Sequence, residues 1–224
     1  RLLEFIRSMA YYRQSVEAAM AAPVPLSLRV GASKTIGEFI IAPKIEHFLR
    51  AQPDASFSLL VDNTQVLLRE LEAGRLDFVL VEGFFDHSRY EAQLCRREEF
   101  FGVCAPHHRL AGRAVPLDEL AGERLILRES GSGTRAIFEE ALHRQNWTLH
   151  SFPNVVTISD FSTIKSLTAD GLGVSFLYAP VVAQELKDGT LARFDLAEVP
   201  MSGAFYFVCL KDNLFAKAWL DWMQ

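Results

Sequence analysis

From residue 26 onward the chain alternates short apolar runs with amphipathic stretches. Leu26, Leu28 and Val30 alternate with Ser27 and Arg29, which predicts a strand. Gly31-Ala32-Ser33-Lys34-Thr35 reads as a turn. Residues 36–50 return to helical spacing, broken or kinked at Pro43. A strand over 57–61, a helix over 64–73 stopped by Gly74, and a strand over 77–81 follow. Strand–helix–strand–helix–strand is the order of a parallel sheet with crossover helices. The second half repeats the style. Strands are predicted at 100–104, 125–127, 155–158, 173–177 and 205–210, with helices at 134–145, 160–169, 180–186 and 215–223. The architecture is α/β, built as two similar lobes.

Residues 1–22 predict one helix. Leu2, Ile6, Met9, Val16 and Met20 step by four and three, with Arg13 at the missing step. Ala22-Pro23-Val24-Pro25 ends it. So short a helix is marginal in water by itself, so it is expected to pair with the body or with a second copy. The chain opens on Arg1 directly into this pattern, with neither Met nor a signal peptide, and is expected to be a piece of a longer one.

Composition narrows the function. Of the 224 residues, 50% are apolar and 23% charged, as in a globular protein rather than a disordered one. The longest apolar stretches, 174–183 and 204–210, fall short of the ~18–20 residues of a membrane helix. Twenty-three basic against 28 acidic side chains give a net charge of −5, so this piece does not grip nucleic acid by itself. Cys95, Cys104 and Cys209, with no Cys-x-x-Cys, fit reduced thiols in a cytoplasmic protein. Cys104, His107 and His108 do not match zinc spacings, and no metal or cofactor is expected.

Three hydroxyl-rich helix starts carry the candidate chemistry. Ser130-Gly131-Ser132-Gly133-Thr134 lies between a strand and a helix, where free amides and the helix dipole favour an anion. Arg128 and Arg135 add charge. The same residues also suit a plain serine N-cap. Ser33, Lys34 and Thr35 end the first strand, and Ser159, Ser162 and Thr163 open another helix. Three such starts in two lobes suggest one cleft lined from both sides. The loop lacks the Gly-Lys of a P-loop, the third glycine of a dinucleotide fingerprint and the Gly-x-Ser-x-Gly of a serine hydrolase. Glu139-Glu140 reads as a wet helix face, so no enzyme is expected.

These pieces, in this order, resemble the effector-sensing half of a LysR-type transcriptional regulator. Leu28-Arg29-Val30-Gly31-Ala32-Ser33 is similar to that family's opening strand and ligand loop. Leu71-Glu72-Ala73-Gly74-Arg75-Leu76-Asp77 resembles its L-x-x-G-x-L-D stretch. Ala169-Asp170-Gly171-Leu172-Gly173-Val174-Ser175-Phe176-Leu177, with Pro180 after it, resembles its G-x-G-[IV]-[AS]-x-L-x-x-P stretch. Thr35-Ile36-Gly37-Glu38-Phe39 and the stretch from Arg128 to Arg135 are similar to the branch that regulates carbon-dioxide fixation and sulfur assimilation. That branch has Gly-Ser-x-Glu-Ala-Ile-Lys where this chain has Ser159-Asp160-Phe161-Ser162-Thr163-Ile164-Lys165, so only the Ile-Lys end matches.

The resemblance implies two Rossmann-like lobes of periplasmic-binding-protein type II architecture. Residues 26–98 and 200–224 would form lobe I, 99–199 lobe II, and 1–22 a linker helix after a winged helix-turn-helix. A small anionic effector would sit in the cleft against Ser33, Lys34, Thr35, Ser130, Gly131, Ser132, Gly133, Thr134, Ser159, Ser162 and Thr163. A homodimer or homotetramer would carry the signal to DNA through the N-terminal domain, with no membrane partner. The rivals are a periplasmic oxyanion-binding transport receptor, which predicts an export signal and monomers, and an enzyme on the same fold.

Overall fold

The computed structural model describes residues 27–197, 199, 201–211 and 213. The helices expected over 1–22 and 215–223 lie outside them. The first lobe begins β1 (Ser27–Ser33), α1 (Lys34–Phe39), α2 (Ala42–Ala51), β2 (Ser56–Asp62), α3 (Thr64–Glu72) and β3 (Phe78–Glu82). β1 lies between β2 and β3 and runs parallel to both. The expected turn at 31–35 is instead strand as far as Ser33, because Gly31, Ala32 and Ser33 keep their pairing with Leu60, Val61 and Asp62. The chain then enters α1 directly. The break before Pro43 divides the expected long helix into α1 and α2, and the proline sits in the first turn of α2, where it displaces no helical hydrogen bond.

α3 shows how sequence fixes an element here. The Asn63 side chain caps it by accepting from the Val66 amide at 3.0 Å. Leu67 and Leu71, one turn apart, are fully buried against the sheet. Burial of such a side chain contributes about 1.5–3 kcal/mol. Gly74, at φ +69°, takes the left-handed turn that stops the helix. Asp77 then accepts from the Arg29 amide at 2.7 Å and pins the start of β3 to β1.

The chain continues through β4 (Tyr90–Cys104), β5 (Ala114–Val115), α4 (Leu117–Leu120), β6 (Leu125–Leu127), α5 (Gly133–His143), β7 (Val155–Thr157), α6 (Phe161–Ala169), β8 (Ser175–Tyr178), α7 (Ala179–Asp188), β9 (Ala192–Leu196) and β10 (Ser202–Leu210). The main sheet has the order β2-β1-β3-β10-β4-β9-β5, with β8 also on β4. β6 and β7 form a parallel pair beside it.

β4 is the member shared by both lobes. From Tyr90 to Glu99 it runs antiparallel to β10; from Phe100 it pairs with β8, and from Gly102 with β9. The pattern reading finds only the apolar end of this strand. Glu91, Arg96, Arg97, Glu98 and Glu99 make its first ten residues look like a polar loop. β5, α4 and β9 are also absent from that reading. The first two are too short to show a period, and β9 interleaves Arg193 and Asp195 with Phe194 and Leu196.

Every residue of β3 is buried. Phe78 and Leu80 join the main core, with Phe78 packed 4.8 Å from Phe207, while Val79 and Val81 join Leu67 and Leu71 on the other face. The strand therefore ends in a fully enclosed position, and its last residue is Glu82.

Candidate functional site

Four buried polar side chains from four elements meet at one carboxyl. Ser33 ends β1, Thr35 lies in the first turn of α1, Glu82 ends β3, and Thr134 lies in the first turn of α5. Each is at most 2% exposed. The Ser33 hydroxyl donates to Glu82 Oε2 at 2.7 Å; Thr35 and Thr134 donate to Oε1 at 2.8 and 3.1 Å. The Thr64 hydroxyl donates to the Glu82 carbonyl at 3.0 Å. Gly83 and Gly133 let the two backbones close on this cluster, since a Cβ on Gly133 would collide with Glu82 Cγ and its carbonyl oxygen. Burial pushes the Glu82 carboxyl above its usual range, and the three hydroxyls and the Arg128 charge pull it back.

Beside this cluster opens a pocket of about 310 Å³. Gln65, Leu68, Phe84 and Tyr90 line it together with Ser132 and Arg135. That volume suits a small metabolite. The Gln65 backbone N–H donates to the Gly131 carbonyl at 3.4 Å. Ser132 occupies the N-cap position of α5 but makes no capping bond. The residue is 4% exposed, and its hydroxyl has no bond among the described residues.

The Lys34 ammonium, outside the pocket lining, donates to the Ser159 carbonyl at 2.7 Å and ties the start of α1 to the segment before α6. Arg128, 2% exposed, is held by Glu129 at 2.8 and 3.0 Å, with its guanidinium 4.3 Å from the centre of the Phe161 ring. Its Nη1 has no partner among the described residues. At the start of α6, Asp160 accepts from the Thr163 amide at 2.7 Å and the Ser162 hydroxyl at 2.9 Å. Those bonds hold the Asp160 carboxyl down at about 2.

Residues 24–224 match the family model described as "LysR substrate binding domain". The chain belongs to this family. Among curated LysR relatives, it is 31% identical to the uncharacterised HTH-type transcriptional regulator YeiE of Escherichia coli K12, over 167 residues that make up 75% of this chain and 56% of YeiE. It is 27% identical to a RuBisCO operon transcriptional regulator of Allochromatium vinosum, over 184 residues that make up 81% of this chain and 59% of that protein. The chain thus spans a little over half the length of these relatives. The latter agrees with the carbon-dioxide-fixation side of the branch resemblance. The fold is that of the Synechocystis PCC6803 CcmR regulatory domain, solved in complex with 2-PG. The TM-score is 0.75 at 24% identity, with 88% of this chain and 95% of that one covered. The LysR domain described here is accordingly the two-lobed periplasmic-binding-protein type II architecture.

Within this LysR domain the expected site residues separate into three groups. Ser33, Thr35 and Thr134 come together, but on a carboxyl of the chain itself. Ser130, Gly131, Ser132 and Gly133 line the neighbouring pocket. Lys34 reaches Ser159 through its backbone carbonyl, while Ser162 and Thr163 serve the Asp160 cap. Arg128 and Arg135, expected to add charge, are paired with Glu129 and Glu139. Pattern reading misses Glu82, Gln65 and Phe84. The one signal for Glu82 is an acidic residue closing the all-apolar run Phe78-Val79-Leu80-Val81 before Gly83.

Proposed function

We propose that this domain senses a small anionic metabolite in its interlobe cleft and that the full protein uses the response to control transcription. The observation that carries the reading is the pocket beside Glu82, where the uncapped start of α5 presents the Ser132 hydroxyl, free of any capping bond, next to Arg135. CcmR, similar in fold, was solved with 2-PG, which supports a small-molecule ligand here. The proposed contacts are Ser130, Gly131, Ser132 and Gly133 in the pocket. Lys34, Ser159, Ser162 and Thr163 lie on the Arg128 side, and Ser33, Thr35 and Thr134 are reached where Glu82 withdraws.

We place lobe I at 26–98 and 200–224 and lobe II at 99–199. The change of partners along β4 between Glu99 and Phe100 supports this boundary. An effector that fits one setting of the lobes better than another shifts their population, and subunits of a cytoplasmic dimer or tetramer pass that shift to DNA-binding segments outside this chain. The domain acts as a sensor and not as an enzyme. A transport receptor is the weaker reading, because the matching family is that of the LysR regulators.

Thermal unfolding against sulfate, sulfite, thiosulfate, phosphate, phosphorylated sugars, 2-PG and small carboxylates tests the reading. A ligand at ~100 times its Kd adds about 2.7 kcal/mol. One anion is expected to raise the midpoint of the parent and not that of Ser132→Ala or Gln65→Ala. No response to any anion, or an equal response in the variants, sinks it.

A further inference from the structure

The polar groups at Glu82 have the arrangement of an anion site that already holds its anion. Three hydroxyls, each from a buried residue, converge on the two oxygens of one buried carboxyl. Ser33 is the sharpest indication. It stands at the N-cap of α1, where a serine ordinarily accepts from a helix amide, yet it makes no capping bond and turns its hydroxyl to Glu82. Thr134 reaches the same carboxyl from the other lobe. Arg128, whose charge acts on Glu82, carries a buried nitrogen with no partner among the described residues.

We propose that Glu82 is the resident occupant of an anion cradle formed by Ser33, Thr35 and Thr134, and that it decides which ligands the cleft admits. Bare carboxylate-sized anions are excluded from the cradle while Glu82 fills it. A ligand must bind in the adjoining pocket or drive the Glu82 carboxyl out. Because Thr134 belongs to lobe II and the other three groups to lobe I, driving it out also releases a bond between the lobes. The inference rests on the effector reading only in treating the cradle as part of the ligand cleft.

The test is chemical rescue in Glu82→Ala, whose missing atoms have the size of formate or acetate. Unfolding midpoints are compared in sodium formate, acetate and chloride at equal ionic strength and pH 7. Wild type is expected to unfold at the same midpoint in all three salts. Glu82→Ala is expected to unfold several degrees lower in chloride and to regain most of the loss in formate or acetate, with saturation. Glu82→Gln, which keeps the space filled, and Glu82→Ala/Thr134→Val, which lacks a donor, are expected to show no such gain. If Glu82→Ala does not fold in chloride, its refolded yield in acetate becomes the readout. Recovery supports the cradle, and failure in both salts overturns it. A carboxylate response in Glu82→Ala no larger than in wild type, or equal in Glu82→Gln, also overturns it. The assay uses no effector, so rescue together with an unresponsive anion panel would sink the effector reading alone.

Discussion

At the start of α5, Ser132 caps nothing and lines an open pocket; at the start of α6, Asp160 accepts from the Thr163 amide and the Ser162 hydroxyl. Both starts read from sequence as hydroxyl-rich anion sites. The difference lies in one residue. An acidic N-cap supplies the negative charge the helix end attracts, so it consumes the amides and hydroxyls that an outside anion would use. A serine N-cap turned away from its own helix leaves them available. The start of α1 is a third case, in which the acid arrives from a distant strand as Glu82.

The comparison breaks most visibly at Gly133. Its missing Cβ lets α5 begin against Glu82, so Gly133→Ala is expected to cost about 1–3 kcal/mol in urea unfolding, as overpacking does. Ser162→Ala at the exposed start of α6 is expected to stay within about 0.5 kcal/mol. Equal effects at both positions would remove the distinction.

Acidity separates the two carboxyls next. Asp160 lies at about 2 against its ordinary 3.8, so its contribution is present above 3.8 and is lost as pH falls toward 2. Glu82 lies above its ordinary 4.5, so its contribution is full below 4.5 and is lost as pH rises through the raised value. Urea midpoints across pH are expected to show opposite changes. Glu82→Gln flattens the decline toward neutral pH, and Asp160→Ala flattens the decline toward acid. Parallel profiles for the two variants would contradict the assignment.

Asp160→Ala at neutral pH is expected to lower the thermal midpoint by a few degrees, because it removes the cap of α6. A change in ligand specificity would place α6 in the site. The smallest stability effect belongs to Ser132→Ala, within about 0.5 kcal/mol, since its hydroxyl makes no bond to lose. A larger loss in calorimetry would show that the hydroxyl caps α5 after all.

The strands and helices whose faces differ in polarity were legible in the sequence. β1, β2, α3, α5 and α6 lie within a few residues of their expected bounds because each carries its apolar residues at the period of its element. The first ten residues of β4 were not, because a ribbon edge wet on most sides carries no alternation. The hydroxyl cluster was legible as a set of helix starts, and Ser33, Thr35 and Thr134 do converge. What they converge on was not, because a lone acid at a strand end has no local pattern. Its role depends on the depth of β3 and on a lobe-to-lobe contact spanning 52 residues of sequence.

The ribbon formed by β4 and β10 has a mechanical consequence. Its nine register pairs end at Glu99 and Ser202, where β4 passes into the second lobe. Cys95 is the extra residue on β4, since Phe205 faces Arg96 and Tyr206 faces Leu94. Two lobes strung on slack loops would swing at little cost. Lobes joined through a hydrogen-bonded ribbon behave as weights on a torsion bar, with twist as the soft coordinate and separation as the stiff one. The bulge at Cys95 bends the ribbon and increases its local twist. It lies ahead of Phe100, where β4 takes β8 as its partner, so a twist applied beyond Phe100 is carried back along the strand into the ribbon.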